Sequence, residues 1–239
     1  PVSSIPFPDP ESEPTMLMIR PFNPTNQEYT ACIAIYNTVW PENQMNVERQ
    51  KHFDNTRNPT YLFQRLVAEW DGKVVAVGTY SESEWSYRPG KYHLGLNVHP
   101  DYERRGIGTS FYARALADLQ ARTPLPTLLT AATYIHKPQA IRFLEQRGFA
   151  CVMRWYSSTL DVTTFDFAKF AGLIEKPATT GIQIYTAQAL QTFDPEWQRK
   201  IYELDWECTQ DEPMPDAPTK LPFEQYQKTI FDDPNFSPD

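Results

Sequence analysis

The stretch that decides the fold is Val98-His99-Pro100-Asp101-Tyr102-Glu103-Arg104-Arg105-Gly106-Ile107-Gly108-Thr109. A run with strand character precedes it, and apolar residues recur every three or four positions after it, as far as Leu119. This pattern predicts a strand end, a glycine turn and the first turn of a helix. Backbone N–H groups at such a turn lack helical partners and can bind an anion, and glycine lets the ligand approach closely. Arg104 and Arg105 add positive charge to the same turn.

The surrounding sequence predicts a sheet interleaved with helices. Strands are predicted at 16–22, 63–70, 73–80, 92–98, 128–133 and 149–160. Helices are predicted from Thr25 or Asn26 to Trp40, around 47–53, from 107 to about 121, and from Pro138 to Gly148. Asp71-Gly72 separates the second and third strands and is typical of a two-residue hairpin turn.

This order of elements, over about residues 17–162, resembles the GNAT family of N-acetyltransferases. The segment 138–149, which ends in Gly148-Phe149, resembles the family's helix before a Gly-Phe pair. The resemblance implies an α/β (α+β) fold with a central mixed, mostly antiparallel sheet flanked by helices. It also implies acetyl-CoA as cosubstrate, with the pantetheine arm along the strand before the turn and the pyrophosphate in the turn. The residues implied in coenzyme binding are Leu96, Asn97, Val98, Arg104, Arg105, Gly106, Ile107, Gly108 and Thr109.

Two positions depart from the family pattern. Glu103 stands where Gln or Arg is usual, and a carboxylate that faced inward would repel phosphate. Leu144 stands where the family carries a Tyr that acts as general acid, and a leucine cannot donate a proton. The sequence is therefore compatible with two alternative functions. One is an N-acetyltransferase in which an amine attacks the thioester directly, and the other is an inactive module that binds acyl-CoA or a partner protein.

The catalytic candidates are drawn from polar residues near the predicted strand ends. Tyr134, just beyond the fifth strand, is the candidate acid, although an ordinary half-buried tyrosine explains it as well. Glu84 or Glu82, after the third strand, is the candidate base, and each also fits a solvated surface carboxylate. His93 on the fourth strand is an alternative base, and so is deprotonation through water.

The C-terminal segment echoes the N-terminal one. The pattern Ile-Tyr-x-x-x-Trp begins at Ile35 and again at Ile201. We interpret the echo as a tandem GNAT arrangement, against the alternative of chance similarity between two amphipathic helices. The predicted parts are a flexible tail (1–15), an acyl-CoA-binding domain (16–162), a connector (163–180) and the incomplete start of a second GNAT-like repeat (181–239). That start is expected to dock on the first domain, to dock on another chain, or to be mobile.

Composition narrows the classes of partner. The 239 residues carry a formal net charge of −8, which argues against nucleic acid and suits a cationic small-molecule or peptide amine, although a solubilising surface is the more ordinary explanation of the charge. The three cysteines lack metal-ligand spacing, so no metal site is predicted and a reducing, cytoplasmic location is expected. No apolar run predicts a membrane span. The sequence leaves a homodimer open.

Overall fold

The hairpin around Asp71-Gly72 lies within a five-stranded sheet. Asp71 and Gly72 have positive φ values of 50° and 76°, as a tight two-residue turn requires. The computed structural model describes residues 16–173 and 175–238, and the sheet order is β1-β2-β3-β4-β5. The strands are β1 (Leu17–Pro21), β2 (Phe63–Trp70), β3 (Lys73–Ser81), β4 (Lys91–Val98) and β5 (Leu128–Thr130).

Neighbouring strands pair antiparallel from β1 to β4, and β5 pairs parallel to β4. The predicted mixed, mostly antiparallel sheet flanked by helices is therefore confirmed. The flanking helices are α1 (Asn26–Val39), α2 (Val47–Thr56), α3 (Ile107–Gln120) and α4 (Pro138–Glu145). Together these elements form the first of two compact units, whose described residues begin at residue 16 and end at residue 144.

Capping side chains fix where the first two helices begin. The Thr25 hydroxyl accepts a hydrogen bond from the Glu28 N–H at 3.2 Å, so Thr25 rather than Asn26 caps α1. The Asn46 side chain accepts from the Arg49 N–H at 2.8 Å and caps α2.

The core lies on both faces of the sheet. On one face Cys32 and Ile35 of α1 pack with Val67 and Val77. On the other face Ile107 of α3 packs with a group of buried strand residues, namely Ala68, Val75 and Ala76. The first turn of α3 is thus anchored by a buried side chain, which holds the glycine turn rigidly at the end of β4.

Residues 145–239 form a second unit that contains no strand among its described residues. Its helices are α5 (Glu175–Thr179), α6 (Ala187–Phe193), α7 (Trp197–Asp211) and α8 (Phe223–Tyr226), and α8 continues into a π-helical turn over Gln227–Phe231. Tyr202, Leu221 and Tyr226 form its buried centre. The Tyr202 ring packs edge-on against Phe223 and Tyr226, with centroids 5.3 and 5.1 Å apart.

The predicted strand at 149–160 is wrong, because residues 149–161 adopt no regular structure. Its apolar side chains remain exposed, including Trp155 at 69% and Tyr156 at 89%. β-branched and aromatic composition favours a strand only where a neighbouring strand completes the hydrogen bonds. A second GNAT-like repeat would begin with a strand corresponding to β1, but residues 182–186 likewise form no strand. The boundaries at 162 and 180 stay predictions, and the predicted tail at 1–15 lies outside the described residues.

No helix within the described part of the chain combines the length and the apolar character needed to cross a bilayer.

Candidate functional site

Strand β4 is paired from residue 93 to its end on one side, and only over its first three residues on the other. With β3 it pairs from His93↔Ser81 to Val98↔Ala76. With β5 it pairs only from Lys91 to His93. Among the described residues, 94–98 therefore have no strand partner on the β5 side, and we call them the open edge.

The main-chain groups of the open edge alternate in direction. The His99 N–H donates to the Val75 carbonyl at 2.9 Å, so residue 99 points towards β3. Successive residues of a strand point their main-chain groups to opposite sides. The N–H and C=O groups of Leu96 and Val98 therefore face the open edge, whereas those of Asn97 face β3. Only two of the three predicted strand residues can offer main-chain hydrogen bonds there.

The turn after β4 combines two left-handed residues. Arg104 has φ +62° and Gly106 has φ +83°. Gly106 is the N-cap of α3 and supplies no side-chain capping bond. The first amides of a helix have no partner within the helix, so the amides of Ile107 and Gly108 are directed towards the turn. Arg104 adopts a conformation that costs a residue with a side chain about 1–2 kcal/mol.

The two arginines of the turn differ in their contacts. The Arg105 guanidinium lies over the rings of Trp70 and Tyr102, 5.3 and 5.0 Å from their centroids, and donates to the Asp101 carbonyl at 3.0 Å. Arg104 is exposed and makes no hydrogen bond or ion pair with any residue in the described ranges. Arg104 is consequently the side chain available to an anion, whereas Arg105 is held against aromatic rings.

The two glycines of the turn serve different purposes. A Cβ at Gly106 would meet nothing within 4 Å, so glycine is required there by the backbone conformation. A Cβ at Gly108 would lie 3.1 Å from Cε2 of Phe143 and 3.7 Å from the side chain of Leu96. Gly108 therefore permits close packing of α3 against α4. This second purpose cannot be predicted from the sequence, because Phe143 is distant from Gly108 along the chain.

Tyr134 lies in an aromatic group beside β4. The Trp40 indole N–H donates to Asn97 Oδ1 at 2.7 Å, and the Tyr134 ring packs edge-on against Trp40 at 5.0 Å. His136 stacks on Tyr134 at 5.2 Å. The Lys137 ammonium donates to the Val39 carbonyl at 3.0 Å and lies 5.1 Å from the centroid of the Trp40 ring. The loop after β5 is thereby fastened to the end of α1.

Glu84 lies elsewhere in the sheet, three residues beyond the end of β3. It is half-buried, and its Oε2 has no hydrogen-bond partner among the described residues. Burial raises the pKa of Glu84, and the nearby charge of Arg57 opposes that rise. No hydrogen bond or ring contact links Glu84 to Tyr134 in the described structure, so the two predicted catalytic residues are not brought together.

Glu82 is already engaged in the fold. Its Oε2 accepts a hydrogen bond from the Leu62 N–H at 2.8 Å. It also lines an open groove of about 440 Å³, together with Asp54, Arg57 and Arg122. The acidic and basic side chains of this groove balance, so the groove does not by itself select a cation. Across the described residues no cluster of three or more His, Cys, Asp or Glu could hold a metal ion.

The family comparison agrees with this architecture. The model of the Acetyltransferase (GNAT) family matches residues 29–149, from the first turn of α1 to the residue after Gly148. This match covers half of the chain, and it includes the open edge, the glycine turn and α4. The chain belongs to the GNAT acetyltransferase family.

Solved structures with a similar fold include three acetyltransferase-family proteins. The ribosomal-protein-S18-alanine N-acetyltransferase of Escherichia coli is 20% identical over 60% of this chain and 86% of that chain, with a TM-score of 0.46. An aminoglycoside 6'-N-acetyltransferase of Acinetobacter haemolyticus is 17% identical over 60% of this chain and 99% of that one, with a TM-score of 0.45. A tandem GNAT protein from the clavulanic acid biosynthesis pathway is 20% identical over 56% and 43%, with a TM-score of 0.46. Comparison with curated proteins gave no significant match.

Proposed function

We propose that this protein transfers an acetyl group from acetyl-CoA to an amine by direct attack of the amine on the thioester. The observation that carries the proposal is the open edge of β4, which leads directly into the glycine turn at the N-terminus of α3. Amide groups of a pantetheine arm can pair with Leu96 and Val98 in the manner of an added strand. The edge spans about 13 Å at ~3.3 Å per residue.

The turn supplies the groups that a pyrophosphate needs. The first amides of α3 and the positive end of the helix dipole favour an anion at Gly106. Arg104 adds an unengaged guanidinium, and the Glu103 carboxylate is exposed on the same turn. Because backbone donors do not depend on side chains, Glu103 weakens this site without abolishing it.

Coenzyme binding is tested by thermal unfolding with acetyl-CoA. A ligand that binds only the folded state at a hundredfold excess over its Kd stabilises it by about 2.7 kcal/mol. Gly106→Val should remove the rise in Tm that acetyl-CoA causes. Gly72→Val is the matched control, because Gly72 also has a left-handed φ with nothing within 4 Å, yet lies in a remote hairpin turn. A wild-type Tm that does not respond to millimolar acetyl-CoA would contradict the proposal.

The leaving thiolate needs a proton, and Tyr134 is our candidate donor. Its ring is 45% exposed and packs on Trp40, whose indole is fixed to Asn97 of β4. The Tyr134 ring is therefore held, through Trp40, next to the strand that would hold the coenzyme. Tyr134→Phe keeps the ring and removes the proton, so thiol release should fall while the Tm response to acetyl-CoA persists. For the proton acceptor, Glu84 and His93 are the two candidates within the fold.

A second function is favoured by Leu144, which occupies the position of the family's usual acid. In this alternative the protein binds acyl-CoA, or a partner protein, without turnover. Thiol release from acetyl-CoA in the presence of primary amines separates the two functions. Release above the rate without protein supports the transferase, whereas a Tm response without release supports the binding module.

The proposed acceptor is a small-molecule or peptide amine. The net charge of −8 favours attraction of a cationic acceptor over an anionic one. This attraction is long-ranged and should weaken with salt, so the apparent KM for a polyamine should rise with ionic strength more than the KM for a neutral amine analogue.

A further inference from the structure

We infer that His93 is the proton acceptor of the transfer, and that Thr130 is a positioning residue that keeps the Nε2 atom of His93 free for the proton. The inference rests on the proposed function, because a proton acceptor has a role only if an ammonium group is acylated. Three features of the described structure carry it: the place of His93 in the sheet, the hydrogen bond to its ring, and its charge state.

His93 lies at the point where the sheet divides. It pairs with Ser81 of β3 on one side and with Thr130 of β5 on the other, and the open edge begins at the next residue. Because β3 is antiparallel to β4, the chain after Ser81 runs away from the open edge towards Glu84. Because β5 is parallel to β4, the chain after Thr130 runs in the opposite direction, towards Tyr134. A thioester carried along the open edge from the glycine turn would therefore end closest to His93 among the candidate bases.

The face of β4 that carries His93 has a gap in its row of side chains at Gly95, where an added Cβ would lie 3.2 Å from the Thr79 hydroxyl oxygen. Side chains alternate along a strand, so His93, Gly95 and Asn97 share one face. Gly95 contributes no side chain, and Asn97 is held by the Trp40 indole. The imidazole and the fixed amide thus flank a position without a side chain, halfway along the strand.

The hydrogen bond from Thr130 sets the tautomer of the ring. The Thr130 hydroxyl donates to the Tyr92 carbonyl at 3.3 Å, and it lies 3.3 Å from His93 Nδ1. A hydroxyl has one proton, so with that proton directed to the Tyr92 carbonyl the Thr130 oxygen accepts from His93. Nδ1 must then carry the ring proton, and the lone pair is on Nε2, which makes no hydrogen bond with any residue of the described chain. This is the arrangement that a general base requires.

The ring is also neutral near pH 7. Burial lowers the pKa of His93, and the charge of Lys91 lowers it further. The elements packed against β4 carry charged side chains at Lys73 on β3, Glu28 on α1, and Arg114 and Asp118 on α3. Four further titratable groups of the same elements are Tyr80 on β3 and Tyr29, Cys32 and Tyr36 on α1. Burial raises the pKa of each of these four groups, so they are uncharged near pH 7 as well.

The proton balance is complete without a further reagent. Nε2 of His93 takes one proton from the acceptor's ammonium group and becomes imidazolium, which later releases the proton to water. The neutral amine nitrogen attacks the carbonyl carbon, so a C–N bond forms and the C–S bond breaks. Tyr134 gives its hydroxyl proton to the thiolate as the tetrahedral intermediate collapses, and the second proton of the nitrogen replaces it on Tyr134, which gives the free thiol of coenzyme A and the amide.

The test uses the full chain and three probe amines: ethanolamine, spermidine and a short peptide with a free N-terminus. Wild-type kcat/KM for thiol release should fall below an apparent pKa lower than 6.5, the ordinary value for histidine. His93→Gln should lose that limb and about 100-fold or more in rate. Its Tm rise with acetyl-CoA should persist, which shows that it folds and binds. Thr130→Val should lower the rate and shift the limb, whereas Thr130→Ser, which keeps the hydroxyl, should restore both.

The outcomes separate the two claims. If no probe amine gives thiol release with the wild type, the proposed transferase fails and the role of His93 fails with it. If the wild type is active and His93→Gln keeps its rate within threefold and its pH limb, only the inference fails. The same holds if Glu84→Gln removes the limb instead. Nuclear magnetic resonance of ring nitrogens gives a test without an acceptor, since a neutral His93 that carries its proton on Nε2 would overturn the inference.

Discussion

Helices α1 and α7 carry the same Ile-Tyr-x-x-x-Trp pattern and use it differently. In α1 the isoleucine is buried, since Ile35 is 3% exposed, and Tyr36 lies at the rim. In α7 the order is reversed, because Tyr202 is buried and Ile201 is only half-buried. The buried residues of α1 face a sheet, whereas Tyr202 packs among aromatic rings in a unit of helices.

This difference shows that a helix pattern defines an apolar stripe but not its partner. Five residues of α1 are buried, against one of α7. A sheet presents a broad surface that covers a whole helix face, whereas the short helices of the second unit cover only part of one. The predicted second GNAT-like unit would bury α7 fully only if its own sheet were present.

The largest predicted effect is on the free energy of unfolding, and it compares the corresponding isoleucines and tyrosines of α1 and α7. Ile35→Ala should cost about 3 kcal/mol of unfolding free energy, because it leaves a cavity under the sheet. Ile201→Ala should cost under about 1 kcal/mol. The tyrosines should show the opposite order, so Tyr202→Ala should lower the free energy of unfolding more than Tyr36→Ala does. Urea unfolding measures all four, and equal costs at the two isoleucines would show that both helices are packed alike.

The second effect concerns ion pairs. Asp54 accepts hydrogen bonds from Arg65 at 2.6 and 2.9 Å and from the Tyr29 hydroxyl at 2.8 Å, in a largely buried setting. Asp54→Asn should destabilise the first unit by about 3 kcal/mol, since it leaves Arg65 without its partner charge. The control Glu203→Gln, which removes the charge of an exposed partner of Lys220 in the second unit, should leave the urea midpoint unchanged.

This second effect should depend on pH. Burial alone would raise the pKa of Asp54, but hydrogen bonds and charge from Arg65 outweigh burial and hold it below its ordinary value of 3.8. A carboxyl with a lowered pKa adds stability above its ordinary pKa, and that stability is lost as the pH falls through the folded value. The difference between wild type and Asp54→Asn should be full near pH 7 and shrink in acid. A difference that grew in acid would contradict the ion pair.

A smaller effect on the free energy of unfolding is expected at Trp40 and Trp206, the tryptophans of the Ile-Tyr-x-x-x-Trp pattern. The Trp40 indole donates to Asn97, whereas the indole N–H of Trp206 donates to no residue of the described chain. Trp40→Phe should therefore cost about 1 kcal/mol more than Trp206→Phe, because it leaves the Asn97 oxygen unpaired. Equal losses in thermal unfolding would show that the hydrogen bond adds nothing.

The smallest effect is on reactivity rather than stability. Cys32 in α1 is buried, and burial raises its pKa to about 12, while Cys151 and Cys208 are exposed. A thiol reacts as the thiolate, so Cys32 should be inert in the native protein. A disulfide reagent should modify two thiols rapidly and the third only after unfolding. Rapid modification of all three would show that α1 is not covered as described.

Local features of the fold could be predicted because they depend on few residues. Asp71-Gly72 determines its hairpin turn, Thr25 caps its helix, and Gly106 is left-handed where the turn needs it. These are decided by the backbone preferences of neighbouring residues. The strand proposed at 149–160 was wrong for the complementary reason, since a strand depends on a partner that its own sequence does not specify.

The parts of the candidate site that are contiguous in sequence could be predicted, whereas the contacts between distant residues could not. The glycine turn and the strand before it can be predicted because their residues follow one another in the sequence. The hydrogen bonds of Trp40 with Asn97 and of His93 with Thr130 join residues 57 and 37 positions apart, and no periodicity reports such contacts. Consequently the sequence alone favours Glu84 over His93 as the candidate base, because nothing local indicates that Thr130 lies beside the His93 ring.

The contact between Gly108 and Phe143 has an evolutionary consequence. The space that a methyl group at position 108 would need is occupied by the edge of the ring, 3.1 Å away. Relatives that carry alanine at position 108 should therefore carry a smaller side chain at position 143. The two positions should vary jointly across the family, although 35 residues separate them, and Gly108→Ala combined with Phe143→Leu should be tolerated better than Gly108→Ala alone.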